Sequence, residues 1–78
     1  MPVVLRFGRF KFVIFPMDHR PAHVHVIAAD AEAKFELMSG KCIAAAGFTQ
    51  KTLNQLEEIV RRNSDLLLDA WREYEGEE

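Results

Sequence analysis

The sequence holds a single cysteine, Cys42, so no disulfide can form within the chain, and nothing in its cysteine usage points to a secreted framework. No apolar run approaches the ~20 residues that a membrane-spanning helix needs. The stretch from Met1 to Arg6 lacks the basic region and long apolar segment of a secretory leader. A cytoplasmic protein without membrane contact is therefore expected. Neither sign of charge prevails: 10 Lys and Arg against 12 Asp and Glu give a net charge of −2 at pH 7, with a pI near 5.9. That balance argues against nucleic-acid binding over the whole surface, while a local basic face keeps nucleic acid open as a partner. Glycines number four and prolines three, and there is no linker, internal repeat, phosphate-cradling glycine loop or paired-cysteine zinc pattern. What is present is a chain of 78 residues, 49% apolar and 28% charged. This is the mix of one globular domain, residues 1–78, and too little chain for two. A domain this small buries only about 60% of the surface its unfolded chain exposes, so marginal stability is expected.

The first half reads as strands. Residues 3–7 and 10–15 are rich in Val, Ile, Leu and Phe, with Gly8 and Arg9 between them. Glycine at the first of two connecting residues marks a type II′ hairpin, which needs positive φ there. That register pairs Phe7 with Phe10, Leu5 with Phe12 and Val3 with Ile14 on a core face. Val4, Arg6, Lys11 and Val13 fall on the other face, with Arg6 directly opposite Lys11. Two like charges facing each other are mildly unfavourable, so this face is expected to be solvated or to meet an anion. After the punctuation from Pro16 to Pro21, residues 23–28 and 32–37 both alternate. A two-residue turn at Ala29 and Asp30 pairs Val24 with Phe35 and Val26 with Ala33. It also sets His23 opposite Glu36 and His25 opposite Lys34. A slip of one residue would put Val26 against Lys34 and break the pattern. Ser39 and Gly40 end that strand, and Lys41 to Ala45 is a candidate fifth strand.

The second half reads as helix. Gly47 fits a tight bend, Thr49 an N-cap, and Phe48 with Leu53 a hydrophobic staple. The apolar positions from Leu53 to Tyr74 stay on one band at 100° per residue, which favours one long helix over about residues 50–75 or two nearly collinear ones. Asn63, Ser64 and Asp65 mark the natural break, because their side chains compete for backbone hydrogen bonds. An unbroken helix of that length would run roughly 39 Å, more than a domain of this size spans. Glu75 to Glu78 reads as a frayed acidic tail. The expected class is α+β: an antiparallel sheet of four to five strands, made of two hairpins, packed on one face against one long or two C-terminal helices. The expected core is Val3, Leu5, Phe7, Phe10, Phe12, Val24, Val26, Phe35, Leu53, Leu56, Val60, Leu67 and Trp71. Because the apolar band exceeds what such a sheet covers, Leu66, Leu67, Trp71 and Tyr74 are expected to pack on another chain.

Three histidines, His19, His23 and His25, fall within seven residues. His23 and His25 stand two apart on a strand and so point the same way. With His19 from the preceding loop, and a carboxylate from Asp18 or Glu36, they form a candidate transition-metal site. The same pair has a metal-free use. On a face with Arg6, Lys11 and Lys34, one imidazole would take the proton of an RNA 2′-hydroxyl and the other protonate the leaving oxygen. His23, His25 and Lys34 are then the candidate catalytic residues, and Arg6 and Lys11 the anion-binding ones. The plain alternative is a solvated strand face with His23 hydrogen-bonded to Glu36. Cys42, among Ile43 and three alanines, reads as a small buried apolar residue, because nothing local lowers its thiol pKa. Arg61 and Arg62 read as solvated.

The run from Asp18 to Val26, with its Pro-x-His-Val-His-Val core, resembles a small bacterial family, the domain of unknown function numbered 4160. Val4 to Arg6, Glu32 to Phe35, Gly47 to Thr49 and Leu67 to Trp71 extend the resemblance over essentially the whole chain. Members more often carry a second proline where this chain has Ala22. The resemblance implies a β-rich N-terminal half followed by helices. It also implies a neighbouring gene for a second small protein, in a pair like a toxin–antitoxin module. On that analogy the protein is a regulatory binding module acting through protein–protein contact, with that small protein or a second copy of itself as partner. No cofactor is then expected, and the reading leans away from an enzyme without deciding it. A metal-independent ribonuclease and a His-based metal-binding protein are the alternatives.

Overall fold

The computed structural model describes residues 3–15 and 19–75. Five strands run β1 Val3–Phe7, β2 Phe10–Val13, β3 His23–Ala28, β4 Ala31–Glu36 and β5 Cys42–Ala46, followed by helices α1 Gln50–Arg62 and α2 Ser64–Glu75. The strands form one antiparallel sheet in sequence order. The architecture is the α+β one read from the sequence, with five strands and two helices.

The first hairpin turns at Gly8 and Arg9. Gly8 takes φ +59°, and among the described residues none other than glycine, Arg9 included, has positive φ, which is the type II′ pattern. Phe7 pairs with Phe10, Arg6 with Lys11 and Leu5 with Phe12. The register then shifts, so Val3 faces Val13 rather than Ile14. An irregularity of this kind changes which residue faces the partner strand. Phe7, expected in the core, is 52% exposed at the turn, because the helical layer does not cover the hairpin tip. The second hairpin has the expected register throughout, including Val24 with Phe35, His23 with Glu36 and His25 with Lys34. Gly47, at φ +91°, lies against its turn. A Cβ there would stand 2.6 Å from the Asp30 carbonyl oxygen.

Both helices pack on the sheet face that carries Phe12, Val24, Val26, Ala33 and Phe35, contributing Leu56, Val60, Leu67 and Trp71 to one cluster. Thr49 caps α1, its Oγ1 accepting from the Thr52 N–H at 3.1 Å. Phe48 meets Phe10 edge-on at 5.9 Å, which ties the start of α1 to β2. The helical band breaks at Asn63. The Asn63 Nδ2 donates to the Ile59 carbonyl at 2.8 Å, and its own N–H is shared between Ile59 and Val60. This is the side-chain competition that shortens helices at such residues. The molecule measures 35 × 22 × 20 Å.

The sequence places Leu67 and Trp71 in the core and also at an interface with another chain. Both are instead buried within this one, at 0% and 6% exposure, because α2 packs on the same sheet face as α1. Cys42 is half-buried rather than buried, since β5 is an edge strand. Arg61 and Arg62 are solvated, paired with Glu57 and Glu58 one turn earlier. Of the expected acidic tail, residues 76–78 lie outside the described residues, as does Asp18.

Candidate functional site

Strand alternation puts His23 and His25 on one face of β3, away from Val24 and Val26. The β2 and β4 registers place Val13 and Lys34 beside His25, with Lys11 beside Ile27 two pairs further on. The face is thus assembled as the sequence implies, but the two imidazoles do not share one environment.

His23 is buried, although a solvent-facing position was expected from alternation. Its Nδ1 lies 2.7 Å from the Pro21 carbonyl oxygen. A carbonyl only accepts, so Nδ1 carries the proton and the ring tautomer is set by the chain two residues back. Trp71 of α2 lies 5.2 Å from the His23 ring, centroid to centroid. His25 stands edge-on to His23 at 5.2 Å, and Phe15 edge-on to His25 at 4.7 Å. The result is a column of four rings, Phe15–His25–His23–Trp71, at the end of the sheet away from the two tight turns.

The His25 side chain is 12% exposed, and its Nδ1 donates to the Glu32 Oε2 at 3.2 Å. Glu32 sits on β4 opposite Ile27, so this is a diagonal cross-strand pair. A carboxylate on one ring nitrogen fixes the tautomer and orients the other nitrogen, which suits either proton transfer or ligation. Lys34, the direct neighbour of His25, is half-buried. Glu36, opposite His23, accepts a hydrogen bond from the Ser39 hydroxyl.

Arg6 and Lys11 face one another near the hairpin tip and are both exposed. His19 is exposed in the loop before Pro21. Among the described residues, no group of three or more His, Cys, Asp or Glu side chains is placed to hold a metal ion. The geometry brings His23 and His25 together on β3.

Leu66 and Tyr74 remain at the surface of α2, one 46% exposed and the other half-buried. With Val4 and Ala70 they line a groove of about 460 Å³ rimmed by Asp69 and Glu73. A second groove, of about 370 Å³, lies against Trp71 and is flanked by Arg20 and Arg72.

Sequence reasoning did not assign Glu32, Phe15, Trp71 or Pro21 to the histidine site. The diagonal rule for antiparallel pairs would have found Glu32, two residues before Lys34. No local signal points to Trp71, whose contact with His23 joins opposite halves of the chain.

Among the described residues, no helix is long and apolar enough to cross a membrane. Neither the curated proteins nor the solved structures include a match to this chain. A family described as a domain of unknown function, DUF4160, matches over residues 9–72, a span holding four of the five strands complete, α1 and most of α2. By the extent of that match, the chain belongs to the DUF4160 family.

Proposed function

We propose that this protein is a binding module, one half of a two-protein regulatory pair of the toxin–antitoxin type. It acts in the cytoplasm through contact with a small protein encoded by a neighbouring gene, without a cofactor. The observation that favours binding over catalysis is the setting of His23. An imidazole that hands protons to a substrate must reach it, whereas this ring is held by Pro21 and covered by Trp71. The test is co-expression with the neighbouring gene, followed by gel filtration, with growth scored for each gene alone. A stable complex, and a growth defect from one gene relieved by the other, are expected. No complex and no growth effect would discard the reading.

A second reading, RNA cleavage without metal, draws on the Glu32–His25 pair. In it His25 moves the proton, Lys34 steadies the phosphorane, and Arg6 and Lys11 hold phosphate oxygens. Hydrolysis of a fluorogenic RNA in EDTA, lost in both His25→Ala and Lys34→Ala, would support it. Absence of cleavage by the wild-type protein would remove it.

A further inference from the structure

The groove against Trp71 lies where β3 begins. Pro21, Ala22, Met38, Leu68 and Trp71 give it an apolar lining, which Arg20 and Arg72 complete. No acidic residue lines it among the described residues, in a chain whose net charge is −2. Met38 is 77% exposed, and methionine adapts to irregular apolar guests. Arg72 contacts Asp69 at 3.3 Å, but both side chains are largely exposed, at 67% and 78%. Such a pair is weak and leaves most of the guanidinium donors available.

We infer that this groove docks an acidic peptide segment of a partner protein, in which an aliphatic or aromatic residue is flanked by carboxylates. The inference rests on the binding-module reading and names the surface that reading would use. Charge complementarity sets the flanks, because arginine forks match carboxylates in bidentate geometry. The apolar lining sets the centre: about 370 Å³ is the lower end of the range for ligand sites and accommodates side chains rather than a folded element. Single-stranded nucleic acid is a poorer fit, since it binds by stacking bases on open aromatic faces. Trp71, at 6% exposure, presents no such face.

Trp71 is the chain's one tryptophan and lines this groove, so its emission responds to an occupant there. The experiment pans a random 12-residue phage-displayed peptide library on the wild-type protein and on the Arg20→Glu/Arg72→Glu variant. Enriched sequences are then synthesised and titrated while Trp71 emission is followed. Acidic residues flanking an apolar one should be enriched on wild type. Titration should give a saturable emission change, with affinity at least tenfold weaker in the double variant and also reduced in Met38→Glu. Circular dichroism checks that both variants keep the fold, which the exposure of the three side chains favours. Failure to enrich any peptide would overturn the inference. So would enriched peptides without acidic residues, or equal affinity for the double variant. It would equally fall if a ten-nucleotide oligouridylate shifted Trp71 emission and the peptides did not. A neighbouring-gene partner that binds wild type and double variant equally would overturn the groove alone and leave the binding-module reading standing. Peptide binding with no such partner would do the reverse.

Discussion

The two ends of the sheet carry the same alternating pattern and meet different surroundings. At the end with the tight turns, the face away from the helices shows exposed Arg6, Lys11 and Glu32. At the other end the same face closes over Val13, which is fully buried, and His23, which is 6% exposed. Two histidines one pleat apart on β3 thus sit on either side of a gradient. His25 reaches toward solvent through Glu32, while His23 is capped by Trp71. Alternation along a strand decides which face a residue joins. Whether that face is wet at a given point depends on what arrives there from elsewhere in the chain.

The largest effect should come from the layer beneath both ends. Phe12, fully buried between the positions of Leu5 and Val26, should cost about 3–5 kcal/mol when changed to Ala. That would remove much of the stability expected of so small a domain, seen as a lower urea midpoint. A loss under about 1 kcal/mol would show that the helices and the two sheet ends are held by something other than this layer.

The comparison itself is sharpened by His23→Ala against His25→Ala. The first removes a buried ring and leaves the Pro21 carbonyl without its donor, a loss of roughly 2–3 kcal/mol. The second should cost about 1 kcal/mol, because the ring is nearer solvent and its carboxylate partner is 59% exposed. Equal losses in chemical denaturation would erase the distinction between the ends.

At the turn end, Gly47→Ala and Gly8→Ala form a matched pair. Both glycines have positive φ, but only at Gly47 would a Cβ meet backbone, 2.6 Å from the Asp30 oxygen; at Gly8 nothing lies within 4 Å. Gly47→Ala should lower stability by about 1–3 kcal/mol and Gly8→Ala by about 1 kcal/mol. The reverse order in thermal melts would mean that Gly47 does not hold α1 against the second hairpin. The smallest effect is expected for Glu32→Gln, within about 0.5 kcal/mol and insensitive to salt. A larger loss would make the His25–Glu32 pair a structural tie rather than a surface contact.

Much of this arrangement could be read without coordinates. The His23–Glu36 and Val24–Phe35 registers follow from alternation on both strands, because a slip of one residue would turn charged side chains into the core. The Asn63 break follows from a side chain that rivals the backbone for the Ile59 carbonyl. The shift from Ile14 to Val13 opposite Val3 could not be read the same way, since both residues are apolar and either pairing keeps the face hydrophobic. The sequence alone leaves Leu67 and Trp71 both core and interface candidates, because a straight helix outruns the sheet. In the fold both join the cluster on the sheet face, so that part of the stripe is used within the chain.

Local sequence suffices for the α+β class, both two-residue turns, the second hairpin's register, the Thr49 cap and the face shared by the histidines. All of these rest on interactions between residues a few positions apart, or on periodicities that have one consistent solution. Tertiary structure alone decided that His23 is buried, that Trp71 covers it, that Glu32 holds His25, and that Arg20 and Arg72 line one groove. Each depends on where α2 lands relative to the end of the sheet, or on a diagonal neighbour that several rotamers would miss. The free energy of that landing is shared among many apolar contacts, none with a signature in the local pattern.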